Sequence, residues 1–116
     1  MRVTLLQTDI VWEDKQENLR LLRRKLKALR GVAEIVVLPE TFSTGFSMDS
    51  RRLAEPVSGV TITTLRQWAA EFQFAITGSY IACDEEVDAL LAQFFCNSFC
   101  HLLCITIHRA ISYPAG

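Results

Sequence analysis

Apolar positions in this chain alternate between two rhythms. Residues 3–7 are apolar and β-branched enough to predict a strand. Leu19, Leu22, Leu26 and Leu29 then recur at 3-4-3 spacing, which puts them in one stripe of a helix. Asp14 suits the N-cap of that helix, and Glu17, three residues on, completes a capping-box-like pair. Gly31 stands where a helix terminator is expected. Residues 35–38 form a short apolar run, the pattern of a strand buried on both faces, and Pro39 must end it because it cannot donate to a ladder. A loop is predicted from 41 to about 57 and a second helix from about 59 to 73. Ile62, Leu65, Ala69 and Phe72 form the stripe of this helix, with Trp68 beside them. A third strand, 74–81, contains Gly78. The order β-α-β-α-β predicts an α/β layer fold in which neighbouring strands are joined by helical crossovers.

The rhythm breaks after Asp88. Beyond it the only formally charged side chain is Arg109. Residues 89–111 are apolar and cysteine-rich, without clean alternation. Three readings stand side by side: a membrane-spanning helix, a buried helix or strand pair, and a sequence that is not the natural continuation, such as a shifted reading frame. A bilayer core takes about 20 apolar residues. Against a span stand Gln93, Asn97, Ser98, His101, His108 and Arg109, which are costly in lipid. The expected division is therefore 1–84 as an α/β unit and 85–116 as an irregular hydrophobic tail.

Charge narrows the partners. Twelve basic residues against thirteen acidic give a net charge of −1, which offers no pull toward nucleic acid or an anionic membrane. The first helix carries a basic row of Arg20, Arg23, Arg24, Lys25, Lys27 and Arg30. No glycine-rich or aromatic nucleic-acid motif accompanies it, so a solvated face is expected. Asp9, Glu13 and Asp14 interrupt the amino-terminal apolar run before a signal-peptide core can form. The expected compartment is the cytoplasm, where Cys83, Cys96, Cys100 and Cys104 stay reduced.

Candidate chemistry centres on residues 35–48, IVVLPETFSTGFSM. A strand delivers Glu40 at its carboxyl end, where α/β proteins commonly place their chemistry. Phe42 and Phe46 can shield such a carboxylate, and shielding favours a proton-transfer role. A helix cap or a solvated turn residue is the plainer alternative. Cys96, Cys100, Cys104 and His108 are each four residues apart. On one straight helix they would span about 18 Å and could not converge on one ion. Ser43, Ser47 and Ser79 lack the G-x-S-x-G setting of a serine nucleophile.

The stretch around Glu40 resembles the glutamate motif of the nitrilase superfamily, the carbon–nitrogen hydrolases, and within it the ω-amidase-like branch. Residues 3–9, Asn18 and residues 74–80 (FAITGSY) support the likeness, which covers about residues 2 to 84. The resemblance implies the amino-terminal part of an α-β-β-α sandwich. It implies hydrolysis of a small linear amide to acid and ammonia, with no metal or organic cofactor, in a family often assembled as homo-oligomers. It assigns Glu40 as general base and places Phe42 and Phe46 near substrate. The family mechanism also needs a lysine and a cysteine nucleophile in set contexts. No lysine follows Lys27, and none of the four cysteines has the matching neighbours. The chain is therefore expected to be inactive alone. Two other classes remain open: a non-enzymatic α/β protein with a carboxyl-terminal anchor, and an interaction module with unpaired sheet edges.

Overall fold

The computed structural model describes residues 1–56, 58–83, 90–96 and 102–109, with the backbone alone for 50, 90–93 and 102–109. Its elements run β1 (Val3–Leu5), α1 (Lys15–Ala28), β2 (Ile35–Val37), α2 (Ser50–Leu53), α3 (Val60–Phe72), β3 (Ala75–Ala82), β4 (Leu90–Cys96) and β5 (Leu102–Arg109). The five strands form one sheet in sequence order. β1, β2 and β3 are parallel, and β3, β4 and β5 are antiparallel.

The predicted β-α-β-α-β order is present, with α2 added in the predicted loop. Asp14 caps α1 as its sequence suggests, its carboxylate accepting from the Glu17 amide at 3.1 Å. Gly31 follows the helix end with φ +78°, a conformation that suits glycine. The basic face of α1 is partly spent on α3. Arg23 pairs with Glu71 at 2.8 Å and lies over the rings of Trp68 and Phe72.

Residues 89–111 contain two strands, β4 and β5, so the strand-pair reading of the tail describes them and the helical readings do not. No helix among the described residues is long and apolar enough to cross a membrane. Cys96 lies on β4, whereas Cys104 and His108 lie on β5, opposite Phe94 and Leu91. Their four-residue spacing therefore does not align them on a helix face. Cys100 lies outside the described residues.

Alternation divides the sheet into two faces. Val36 and Ile76, in register, face α1 and α3 and are fully buried with Leu22, Leu26, Ile62, Leu65 and Phe72. Phe94 and Cys96 of β4 extend this same core. The other face is open over Val3, Leu5, Ile35 and Val37 among the described residues, and is covered at Ser79 and at Ile81, which packs on Leu53 of α2. Leu5 is 75% exposed, and Ile35 and Val37 are half-buried. The expectation that residues 35–38 are buried on both faces thus holds for one face only.

The entry to α3 depends on Glu55. Its carboxylate accepts from the Thr61 amide at 3.1 Å and from the Thr61 hydroxyl, and it pairs with Lys15 of α1 at 3.1 Å. Partial burial pushes the Glu55 carboxyl up, but the Thr61 bonds and the Lys15 ammonium outweigh it and hold it below the usual glutamate range. A depressed folded pKa means the contribution is present above the unfolded value, about 4.3, and is lost as pH falls through the folded one. Glu55→Gln is expected to lower stability by about 1 kcal/mol at pH 7, the scale of a lost helix cap. The gap to wild type should shrink at pH 3, and urea midpoints at the two pH values check this.

Candidate active site

Glu40 stands in the turn that leaves β2, at the strand end as expected, but it is exposed to solvent and not shielded as the flanking phenylalanines suggested. The turn that follows is strained. Thr41 adopts φ +46°, which is uncommon for a β-branched residue and costs about 1–3 kcal/mol. Surrounding hydrogen bonds hold it there. The Thr41 amide donates to the Ser79 hydroxyl at 2.9 Å, and the Thr41 carbonyl accepts from the amides of Thr44 and Gly45. The Thr41 hydroxyl donates to the Glu40 carbonyl at 2.8 Å. Ser79 is 4% exposed and sits in the β3 row of Ala75 and Thr77, which faces away from the helices.

A second set of contacts supports the loop from the β1–α1 connection. Asn18, buried on α1, donates to the Ser43 carbonyl at 2.7 Å and to the Val11 carbonyl at 2.8 Å, and accepts from the Val11 amide at 2.7 Å. The Glu13 amide donates to the Thr44 carbonyl at 2.8 Å, and the Trp12 indole donates to the Phe46 carbonyl at 2.9 Å. Gly45 has φ +73°, and a β-carbon there would also meet Ile10 at 3.4 Å. The loop after Glu40 is therefore held by β3 on one side and by α1 with its entry loop on the other.

The two phenylalanines part company. Phe42 is 3% exposed and packs edge-on against Phe94, with ring centroids 5.8 Å apart, so its ring serves the core. Phe46 is 79% exposed and lies beside Trp12 at the surface. A shallow groove of about 450 Å³ opens at the carboxyl ends of β1 and β2, lined by Gln7, Thr8, Asp9, Lys25 and Pro39. Lys25 reaches it from α1 and donates to the Gln7 carbonyl at 3.3 Å. Neither Asn18 nor Ser79 stands out in the sequence as a loop anchor. An asparagine immediately before an apolar helix stripe is a usable signal for the first, and nothing local marks the second.

The two cysteines whose side chains are described do not gather at Glu40. Cys83 follows Ser79 by four residues along β3, about 13 Å at the rise of a strand. Cys96 pairs with Ile76, three residues before Ser79 and in the row that faces the helices, and is fully buried. Among the described residues no group of histidine, cysteine or acidic side chains could hold a metal ion.

The carbon–nitrogen hydrolase family model matches residues 2–101, most of the chain. The chain belongs to the carbon–nitrogen hydrolase family. Its match runs through β4. Among curated relatives, an omega-amidase YafV of Yersinia enterocolitica is 39% identical over 79 residues, covering 68% of this chain and 30% of that protein. The omega-amidase YafV of Escherichia coli K12 is 42% identical over 50 residues. Among solved structures, XC1258 of Xanthomonas campestris, described as a CN-hydrolase superfamily protein, superposes with a TM-score of 0.86 at 30% identity, covering 90% of this chain and 39% of that one. Nit3 of Saccharomyces cerevisiae, of the nitrilase superfamily, gives 0.78 at 23% identity, a likeness of fold. The match thus covers between 19% and 43% of the length of these relatives.

Proposed function

We propose that this chain is the glutamate-bearing part of an amidase-type carbon–nitrogen hydrolase acting on small linear ω-amides, with Glu40 as the general base. The observation that carries this reading is the placement of Glu40. It stands at the carboxyl end of β2, in a turn whose backbone is fixed by Ser79 and bounded by the Asn18 clamp. In such a reaction a thiolate attacks the amide carbon, and a carboxylate carries the thiol proton to the departing ammonia. The same carboxylate then takes a proton from the water that releases the acid. Glu40 is solvent-accessible and could reach both partners. Phe46, exposed on the same loop, borders the substrate in this reading.

This reading takes the nucleophile and the cation that steadies the developing oxyanion from another polypeptide segment. No lysine follows Lys27, and the two cysteines whose side chains are described lie away from the Glu40 turn. The open sheet face beside Glu40, with Val3 and Leu5 exposed, suits the second layer of a sandwich.

Two measurements test the proposal. Ammonia release from an ω-amide of a dicarboxylic keto acid should be absent for the 116-residue chain alone. It should appear when the chain is combined with a polypeptide supplying the remainder of a related hydrolase, lysine and cysteine included. Glu40→Gln should then lower it by about 10²-fold or more. Turnover by the chain alone that survives thiol alkylation yet is lost in Glu40→Gln would refute the covalent route.

A further inference from the structure

We propose that Ser79 is a positioning residue for Glu40, acting through the strained turn at Thr41; the functional part of this inference rests on Glu40 being the general base. A threonine does not settle at φ +46° unless its surroundings over-determine it. Here each group of the Thr41 backbone and side chain has a partner. The carbonyl accepts from Thr44 and Gly45, and the hydroxyl donates to the Glu40 carbonyl. These bonds lie within the loop and would travel with it. The amide bond to Ser79 is different, because it ties the loop to β3, an interior strand of the sheet.

The position of Ser79 suits that task. It lies two residues beyond Thr77, the last β3 residue in register with β2, so its hydroxyl meets the chain where β2 has ended and the turn has begun. The Leu38 amide already donates to the Thr77 carbonyl at 2.8 Å, which makes the Ser79 contact the next rung, with a side chain in place of a backbone carbonyl. Between these two rungs the chain carries only Pro39 and Glu40. Proline has a fixed φ and no amide proton to contribute. The direction in which Glu40 leaves the sheet is therefore set by two pinned ends, Leu38 and Thr41. Losing the second pin lets the turn relax toward an ordinary conformation and swing Glu40 away.

Amide hydrogen exchange on the isotope-labelled chain tests the clamp. In Ser79→Ala the Thr41 amide should exchange about tenfold faster or more, while the Val36 and Ile76 amides keep their protection. Ser79→Thr keeps the hydroxyl and should restore the slow rate. If Ser79→Ala does not fold, Ser79→Cys offers a small side chain with a poor acceptor, and it should speed Thr41 exchange without disturbing the sheet. Unchanged exchange at Thr41 in a folded variant overturns the clamp. The positioning role is read separately, in the reconstituted hydrolase, where Ser79→Ala should lower kcat about tenfold with KM held. A loosened turn with kcat unchanged overturns that role. Exchange needs no turnover, so a failed hydrolase assay with the clamp intact counts against the proposed function and not against the clamp.

Discussion

Phe94→Ala is expected to destabilise the protein by about 3–5 kcal/mol, a large share of the roughly 5–15 kcal/mol that holds a small domain together. Phe94 is 2% exposed and packs edge-on against Phe42 on one side and Tyr80 on the other, with centroids at 5.8 and 6.0 Å. Its truncation removes buried area, opens a cavity between β3 and the Glu40 loop, and forfeits both aromatic contacts. Gly78 shares the seam. A β-carbon there would lie 3.1 Å from Leu38 and 3.3 Å from the Phe94 ring, so the glycine makes room for that ring. Gly78→Ala should therefore cost less in a Phe94→Ala background than in wild type, a coupling that a double-mutant cycle of urea midpoints measures. The effect also decides whether β4 is part of the folding unit. A fully loaded core residue contributed by a dispensable tail is a contradiction, and a cost below about 1 kcal/mol would show that β4 is not docked in solution.

The same residue explains what the sequence could and could not show. Up to residue 82 the periodicities are clean because helices α1 and α3 bury one stripe and expose the rest. Leu22 and Leu26 face inward while Arg24 and Lys25 face water. After Asp88 that contrast fades. β4 lies between β3 and β5, and residues 90–96 carry no formal charge. A loss of charge alone does not separate a strand with an apolar outer face from a broken reading frame. Only pairing partners distinguish the two, and pairing is not written locally.

The site was legible to a similar depth. Glu40 could be found because a strand, a proline and a carboxylate are consecutive. What holds it could not, since Ser79 is 38 residues from Thr41 and Asn18 is 25 from Ser43. Phe42 and Phe46 look alike in sequence, four residues apart on one loop. Their separation into core and surface is decided by Phe94, which arrives from the far side of β3.

Asn18 gives the second large effect. Its side chain makes three hydrogen bonds while 6% exposed, using its oxygen once and both amide protons. In Asn18→Ala the Ser43 carbonyl and the Val11 amide and carbonyl lose the side chain that satisfies them. The buried Ser43 carbonyl costs about 1–3 kcal/mol when left unsatisfied and the more exposed Val11 groups less, so a loss of about 2–4 kcal/mol is expected by urea unfolding. Asn18→Asp is the sharper probe because shape is kept and only the donors change. Its carboxylate would face the Val11 and Ser43 carbonyls, acceptor against acceptor, which raises the pKa of the new group in the folded state. A raised folded pKa means stability present at low pH and lost as pH rises through that value. Asn18→Asp should therefore be less destabilised relative to wild type near pH 4 than at pH 7, whereas the Asn18→Ala deficit should change little between them. If the two variants shared one pH profile, the donor geometry at Ser43 would not be what holds the loop. The loop at stake carries Glu40 at its base. A variant that keeps the hydrophobic core intact but frees Ser43 should thus leave the sheet protected from exchange while Thr44 and Gly45, on the loop that follows Glu40, exchange freely.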